Sequence, residues 1–193
     1  MISKEKAEEL VDKYVTTEWL KFHLKESEVI MRALARYLNE DEELWGLSGL
    51  LHDLDFDYVN KDPERHVVEF DTILNIEGLE VGSDIPGEMY HAIKSHYEEH
   101  PGISQKRASR LDYALSASEN ISGFLVACAL VQPDRKIKSV GLDSVLKKLK
   151  KKDFARNVNR EYIYDIEKAG VSLEKFIELS LEELSGIADE IGL

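Results

Sequence analysis

His52 and Asp53 are the residues whose types and position in the sequence most clearly suggest chemistry. They end an apolar segment in which leucines recur at three- and four-residue steps, the pattern of a helix that faces a protein core. These leucines are Leu44, Leu47, Leu51 and Leu54. A buried carboxylate without a partner is energetically expensive, and coordination of a metal ion is a common way to offset this expense. The pair is therefore a candidate part of a metal site.

Three more histidines lie on predicted core-facing helical stripes. They are His23 on a helix over about 18–38, His66 on a helix that starts at Asp62-Pro63, and His96 on a helix that starts at Asp84-Ile85-Pro86. A single histidine that faces the core is usually a hydrogen-bonded structural residue. Four such histidines together with a buried carboxylate instead favour a set of ligands for a metal ion. His91, about 140° around the helix from His96, and His100, at the helix end, are predicted to face solvent.

Glu119 adds an acidic side chain from the most apolar part of the chain. A long helix is predicted from a cap at Ser104 to about Val131, and residues 114–127 are almost all small or apolar, which is typical of the centre of a bundle. Glutamate is almost never fully buried unless it is paired. Asp112, on the same predicted face, is the alternative carboxylate.

The candidate ligand set indicates which ions it would bind. Imidazole and carboxylate together suit divalent iron, manganese, cobalt, nickel or zinc, with magnesium as a further option. No cysteine belongs to the set, so a thiolate-rich structural zinc site is not expected. The lone Cys128 lies in an apolar run and is predicted to be an inert core thiol. Inward ligands from facing helices of a bundle form sites for one or two ions.

The elements that must position these residues are predicted to be helices throughout, since the chain has long helical periods and only four prolines. Besides the helices that carry His52, His66 and His96, helices are predicted at about 4–14, 18–38, 104–131, 160–168 and 172–187. Gly46 and Gly49 inside an apolar helix predict the close approach of another backbone. We expect an all-α bundle over 1–132 and a helical extension over 133–193 packed on it, as one structural domain.

Charge and hydropathy exclude several functions. A net charge of −13 argues against nucleic-acid binding, and no run is long and apolar enough for a membrane span. The charged start of the chain lacks a signal-peptide core, so a cytoplasmic protein is expected. The basic run over 147–152 suggests attraction of a small anionic partner, although such runs are usually solvated faces. No exposed apolar heptad requires a homodimer, although an acidic helical protein can form one.

The order of these motifs resembles the HD superfamily of metal-dependent phosphohydrolases. His23 is followed by the His52-Asp53 pair within 45–55, and a late acidic residue follows. More narrowly, the Pro63-to-His66 start, the Ile-Lys-x-His stretch that ends at His96 and the tail at 144–148 resemble a subgroup of small predicted HD hydrolases. This resemblance covers nearly the whole chain, and it implies an HD-type helical bundle.

The resemblance implies a role for each candidate. His23, His52 and Asp53 match ligands of a first ion, with Asp53 and His52 as catalytic residues, and His66 and His96 match ligands of a second ion, with Asp53 bridging. The implied activity is hydrolysis of a phosphomonoester or phosphodiester, in a nucleotide or small phosphorylated metabolite. The candidate phosphate-binding residues are Lys94, Lys147, Lys148 and Arg156. A di-iron oxygenase and a non-catalytic ligand-binding module remain alternatives.

The resemblance places Glu119 at the closing metal ligand, and glutamate can ligate, but this residue departs from the family pattern, which has aspartate in this segment. One extra methylene shifts the carboxylate by about a bond length, a large displacement against metal-site tolerances of about 0.2 Å. Four alternatives follow: the helix is set back, a water intervenes, Asp112 takes the position, or the metal site is weakened or lost.

Overall fold

The computed structural model describes all 193 residues and contains nine α-helices. The helices are α1 (Lys4–Tyr14), α2 (Glu18–Leu38), α3 (Glu42–Leu51), α4 (Phe70–Glu77), α5 (Gly87–Ser95), α6 (Arg110–Leu130), α7 (Leu142–Leu149), α8 (Arg160–Tyr164) and α9 (Leu173–Gly186). Two 3₁₀ helices cover Ile137–Ser139 and Asp165–Ala169. The chain has no strand beyond an isolated bridge between Val81 and Ile85, which confirms the predicted all-α class. None of the helices has the length and apolarity needed to cross a membrane.

Helix α6 lies at the centre of the bundle, as its apolar sequence predicts. It packs against α2, α5 and α8, while α2 also packs along α3. The same apolar core takes in Leu24 of α2, Phe124 of α6 and Phe176 of α9, all fully buried. Residues beyond 133 therefore share the core of the preceding helices, and the division at 132 stays a prediction. Cys128 is buried in this core, as expected.

The turns that follow α3 bring the acidic residues of the site inward. Helix α3 begins where Asp41 accepts a hydrogen bond from the Leu44 backbone N–H, and it ends at Leu51. Residues 52–61 then form successive turns rather than more helix. Asp57 fixes these turns against the start of α2, because its carboxylate accepts the backbone N–H groups of Thr16 and Thr17 at 2.8 and 2.7 Å.

The predicted helix start at Asp62-Pro63 is wrong. Asp62 does accept a hydrogen bond from the Glu64 N–H at 3.0 Å, but residues 63–69 form turns and the helix begins at Phe70. Val67 adopts a φ of 68°, a left-handed conformation that is unfavourable for a β-branched residue and that ends the helical path. His66 therefore lies in a turn, and it faces inward because of that turn rather than because of a helical stripe.

Two further sequence predictions are corrected near α6. Its cap is Ser109 rather than Ser104, and the Asp112 side chain accepts the Ser109 N–H at 2.8 Å in a reciprocal capping box. His100 is buried rather than exposed to solvent, since the loop folds back and its Nε2 donates to the Glu64 carbonyl at 3.0 Å. His91 does face away from the core, with its ring beside Asp112.

Gly49 lies where the backbones of α2 and α3 approach closely, as its position in an apolar helix predicts. A Cβ at Gly49 would lie 2.7 Å from the Ser27 carbonyl oxygen, whereas a Cβ at Gly123 of α6 would meet nothing within 4 Å. We expect Gly49→Ala to lower the free energy of unfolding by about 2 kcal/mol, because two helices must separate. Gly123→Ala is the control and is expected to raise it by about 0.5–1 kcal/mol through helix propensity. Urea denaturation of both variants measures the difference, and equal stabilities would contradict the close approach.

Candidate metal centre

Four imidazoles from separate parts of the fold surround the Asp53 carboxylate. Their Nε2 atoms lie close to its oxygens, at 3.5 Å for His52, 3.2 Å for His66 and 3.3 Å for His96 from Oδ1, and 4.0 Å for His23 from Oδ2. His23 comes from α2, His52 from the end of α3, His66 from the turn before α4 and His96 from the end of α5. Residues separated in sequence by more than seventy positions therefore share one small volume.

These side chains form two groups that share Asp53. One group is His23, His52 and Asp53, and the other is Asp53, His66 and His96; within each, the donor atoms lie within 4.8 Å of one another. Both sets combine imidazole nitrogen with carboxylate oxygen, which suits borderline divalent ions. A carboxylate has two oxygens, so one Asp53 side chain can contribute to both groups.

Each histidine is held through its other ring nitrogen, Nδ1. The Nδ1 atoms of His52 and His96 lie 2.8 and 2.6 Å from the backbone carbonyls of Gly49 and Ile93. His66 Nδ1 lies 2.8 Å from Asp55 Oδ1. Carbonyl and carboxylate oxygens only accept hydrogen bonds, so each Nδ1 carries the proton. Such partners orient metal-binding histidines and leave Nε2 directed at the ion.

The His23–His52 pair tests whether a cation fits the cluster. Ser122 Oγ donates to the Glu119 carbonyl at 3.0 Å, so it accepts from His23 Nδ1, also at 3.0 Å. His23 and His52 then both present an Nε2 lone pair, and the two Nε2 atoms are 3.2 Å apart. Two lone pairs at this separation repel, and a shared cation relieves the repulsion. The donor set present therefore fits a divalent ion.

For most of these groups, the surroundings favour the protonation state that binds a metal ion, which is a neutral imidazole or an ionised carboxylate. Burial lowers the pKa of His52 to about 3 and also lowers the pKa of His23, so both rings are neutral. Burial opposes ionisation of Asp53, but the charged His66 ring and hydrogen bonds from His66 and His96 hold its pKa well below its ordinary value. Burial also opposes a charge on His66, but Asp53 and Asp55 raise its pKa to about 10. Metal binding at His66 would therefore release a proton.

A family model described as the HD domain matches residues 22–123, which is more than half of the chain. The match runs from the residue before His23 to the helix that carries Glu119, so it contains the whole cluster. The chain belongs to the HD domain family. HD domains form a superfamily of metal-dependent hydrolases, most of which are phosphohydrolases. The chain matches no curated protein and no solved structure significantly.

Glu119 of the HD domain lies near the cluster but in neither group of ligand atoms. It lines the same cavity as Asp53, His66 and His96. Burial raises its pKa well above the ordinary value, with a further contribution from the Asp53 charge. The Asn120 amide donates to one of its oxygens. Glu119 thus places a carboxyl group beside the cluster whose burial favours the protonated form.

Asp112 does not supply the closing carboxylate ligand in place of Glu119. Its Oδ2 accepts the backbone N–H groups of Ala108 and Ser109 at 2.9 and 2.8 Å, and its Oδ1 lies 3.1 Å from His91 Nδ1. This carboxylate is committed to the N-terminal cap of α6. Of the four alternatives raised by the sequence, the one that moves Asp112 into the site is therefore excluded.

A cavity of about 830 Å³ opens above Asp53, His66 and His96. Its walls carry aromatic and amide side chains, namely Trp19, Phe56, Tyr97, Tyr162, Asn120, Asn157 and Asn159. Sequence reasoning missed these residues. Tyr162, Asn157 and Asn159 lie beyond the matched HD domain, and nothing in their sequence context marks them as cavity residues.

The four predicted phosphate-binding residues lie outside this cavity. Lys94 is buried, and its Nζ donates to Asp71 Oδ2 at 3.0 Å and to the Val67 carbonyl at 2.8 Å. Lys148 Nζ donates to Ser144 Oγ. Lys147 and Arg156 are exposed at the surface. The structure therefore brings the predicted histidines and Asp53 together but not the predicted cations.

Proposed function

We propose that this HD domain is a metal-dependent phosphohydrolase that cleaves a phosphate ester in a nucleotide or another small phosphorylated metabolite. The main support for the proposal is that two groups of three candidate ligands share the Asp53 carboxylate. This carboxylate lines a cavity of about 830 Å³. Cavities of this size are typical of sites for small molecules. The family match supports hydrolysis as the reaction class.

The residues have distinct tasks in this proposal. His23, His52 and Asp53 would hold one divalent ion, and Asp53, His66 and His96 a second. When bound, such ions supply Lewis acidity, which makes water a better nucleophile and neutralises charge at phosphorus. Asp53 anchors both groups, and its second task is to orient the attacking water by hydrogen bonding.

The protein also contributes to proton transfer and to water exclusion. Burial raises the pKa of Glu119, and the residue lines the same cavity as Asp53, so its carboxyl group is suited to hold a proton and to donate it to the departing oxygen. Trp19, Phe56 and Tyr97 line the same cavity, and their rings would reduce the access of water to the reacting group. Asp55 holds His66 in place through Nδ1, and its own second oxygen has no partner in the protein.

Elemental analysis joined to a substrate screen tests the function. Protein purified without chelator is expected to contain about one to two equivalents of divalent metal and to release phosphate or an alcohol from phosphorylated metabolites. His52→Ala combined with Asp53→Ala is expected to abolish both the bound metal and the turnover, and phosphatase activity retained in this variant would rule the mechanism out.

The same experiment distinguishes the two other interpretations. Oxygen uptake by a reduced iron form, without hydrolysis, would identify a di-iron oxygenase. Less than about one equivalent of metal with no hydrolysis across the panel would identify a binding module that keeps the cavity and lacks the chemistry.

A further inference from the structure

Residues 150–159, here called the strap, connect α7 to α8 without forming a helix. The strap follows the matched HD domain, which ends at 123. Two of its side chains, Asn157 and Asn159, line the cavity that also contains Asp53. The strap therefore supplies part of the wall of the proposed active site, although it lies outside the family match.

A single arginine side chain holds the strap in place. Arg160, the first residue of α8, donates hydrogen bonds to five backbone carbonyls, at 3.2 Å for Leu149, 3.1 Å for Lys151, 3.3 Å for Ala155 and 3.0 Å for Val158, with Phe154 as the fifth acceptor. A guanidinium has five N–H donors, so all of them are used here. Only two backbone hydrogen bonds form within the strap itself. Arg160 thus supplies most of the hydrogen bonds that fix this backbone.

Two further features show that the strap is held in a defined conformation. Ala155 has a φ of 43°, a left-handed conformation that is unfavourable for a residue with a Cβ and that persists only when the surroundings impose it. The Asn159 backbone N–H donates to Asn120 Oδ1 at 3.0 Å, which attaches the end of the strap to α6. The position of the strap is therefore set by contacts with side chains outside it.

Asn157 is the side chain of the strap that is available to a ligand. The Asn159 carbonyl oxygen accepts the Glu161 N–H at 3.1 Å as the cap of α8, and the Asn120 amide is bonded within α6 and to the strap. The Asn157 side chain is exposed, lines the cavity and has no hydrogen-bond partner in the protein. An amide both donates and accepts hydrogen bonds, so Asn157 can pair with a hydroxyl or a ring nitrogen of a ligand.

We infer that the strap is the element of the cavity that recognises the organic part of the substrate, with Asn157 as the contacting residue and Arg160 as the positioning residue. This inference rests on the proposed hydrolase function and adds a specificity determinant outside the HD domain. Arg160 does not line the cavity, so it acts through the strap rather than on the substrate. The substrate class is a phosphorylated molecule whose organic part carries hydrogen-bonding groups.

Limited trypsin digestion tests whether Arg160 holds the strap. Exposed cleavage sites lie within the strap at Lys150, Lys151, Lys152 and Arg156. Trypsin cleaves such sites efficiently only when the backbone opens locally. We expect Arg160→Gln to raise the rate of cleavage in the strap by at least about tenfold, with the metal content of the wild type as the readout of folding.

Two other variants complete this experiment. Arg160→Lys is expected to behave like Arg160→Gln, because an ammonium group has three donors and lacks the fixed fork of the guanidinium. Arg110→Gln is the matched control, since its guanidinium bonds Glu40 at the surface at 3.3 Å, and it should leave cleavage of the strap unchanged.

Steady-state kinetics of the metal-loaded protein with two probes tests recognition. Adenosine 5′-monophosphate has a sugar and a base that hydrogen-bond, whereas p-nitrophenyl phosphate is smaller. We expect Arg160→Gln to raise KM for the nucleotide by about tenfold, to change KM for p-nitrophenyl phosphate by less than about twofold, and to leave both kcat values within about twofold. Asn157→Ala is expected to raise KM for the nucleotide without faster trypsin cleavage, because it removes the contact and keeps the bonds of Arg160.

The outcomes separate this inference from the function on which it rests. Unchanged cleavage in Arg160→Gln, or full rescue by Arg160→Lys, would overturn the positioning role. A KM for the nucleotide that neither Arg160→Gln nor Asn157→Ala changes would overturn recognition by the strap and leave the hydrolase function standing. If neither probe is hydrolysed with any candidate metal, the hydrolase function fails. The strap is then judged by whether adenosine 5′-monophosphate slows trypsin cleavage of the wild type, and absence of protection would overturn this inference as well.

Discussion

Asp53→Asn is expected to remove essentially all bound metal and to lower turnover by at least about a thousandfold. Asparagine keeps the shape of the side chain, but it removes the negative charge that both groups of histidines share. The neutral amide also cannot supply anionic oxygens to two ions at once. Elemental analysis and the rate of product release measure the two effects on the same sample.

Asp57→Asn is the matched control for this change. Asp57 lies in the same run of turns, but its carboxylate accepts hydrogen bonds from Thr16 and Thr17 at the start of α2. We expect this variant to keep its metal and to lose about 1 kcal/mol of stability, as in the loss of a helix cap. Full metal content and full turnover in Asp53→Asn would contradict the shared-carboxylate assignment.

Combined replacement of His66 and His96 by alanine is expected to reduce bound metal from about two equivalents to one and to lower turnover by at least about a hundredfold. The two histidines complete only the second group, whereas His23, His52 and Asp53 retain the first. The remaining ion would lack the partner that stabilises the second reacting oxygen in a two-ion site. Metal titration followed by elemental analysis counts the ions directly.

His100→Ala is the control for loss of a buried histidine. His100 Nε2 donates to the Glu64 carbonyl and its Nδ1 accepts the Gly102 N–H, so the ring has a structural role outside the cluster. We expect both ions to remain while stability falls by about 1–3 kcal/mol.

Loss of all metal from the His66/His96 double variant would instead indicate one ion held by all five residues, and unchanged metal content would place the ions elsewhere.

Helices with strong local signals could be predicted from the sequence to the residue. Helix α1 has Ser3 as its cap, and α2 ends at Asn39 in a left-handed conformation, so both ends agree with local chemistry. The apolar character of residues 114–127 likewise predicted the central position of α6. In these cases local preference and tertiary packing act in the same direction.

Where tertiary contacts override local preference, the sequence misleads. Asp62-Pro63 is a strong start signal, yet the left-handed Val67 delays the helix to Phe70. Ser104 and Ser109 are equivalent as isolated capping residues, and only the reciprocal bond of Ser109 with Asp112 selects the second.

The sequence predicts which histidines of the candidate site face the core, but it does not predict the groups that surround them. Helical stripes correctly directed His23 and His96 inward, because burial of an apolar face determines their direction. The partners that hold His52 and His96 are backbone carbonyls, which have no sequence signature. Tyr162 reaches the cavity from a helix far along the chain, and only the folded structure brings it there.

Anomalous diffraction from crystals of the metal-loaded protein tests the central claim most directly. We expect two ions that share Asp53, each about 2.0–2.2 Å from its ligand atoms. The first would lie between His23 and His52, and the second between His66 and His96. A metal-loaded crystal with no anomalous peak between the His23 and His52 rings, or with its ions bound elsewhere on the chain, would contradict it.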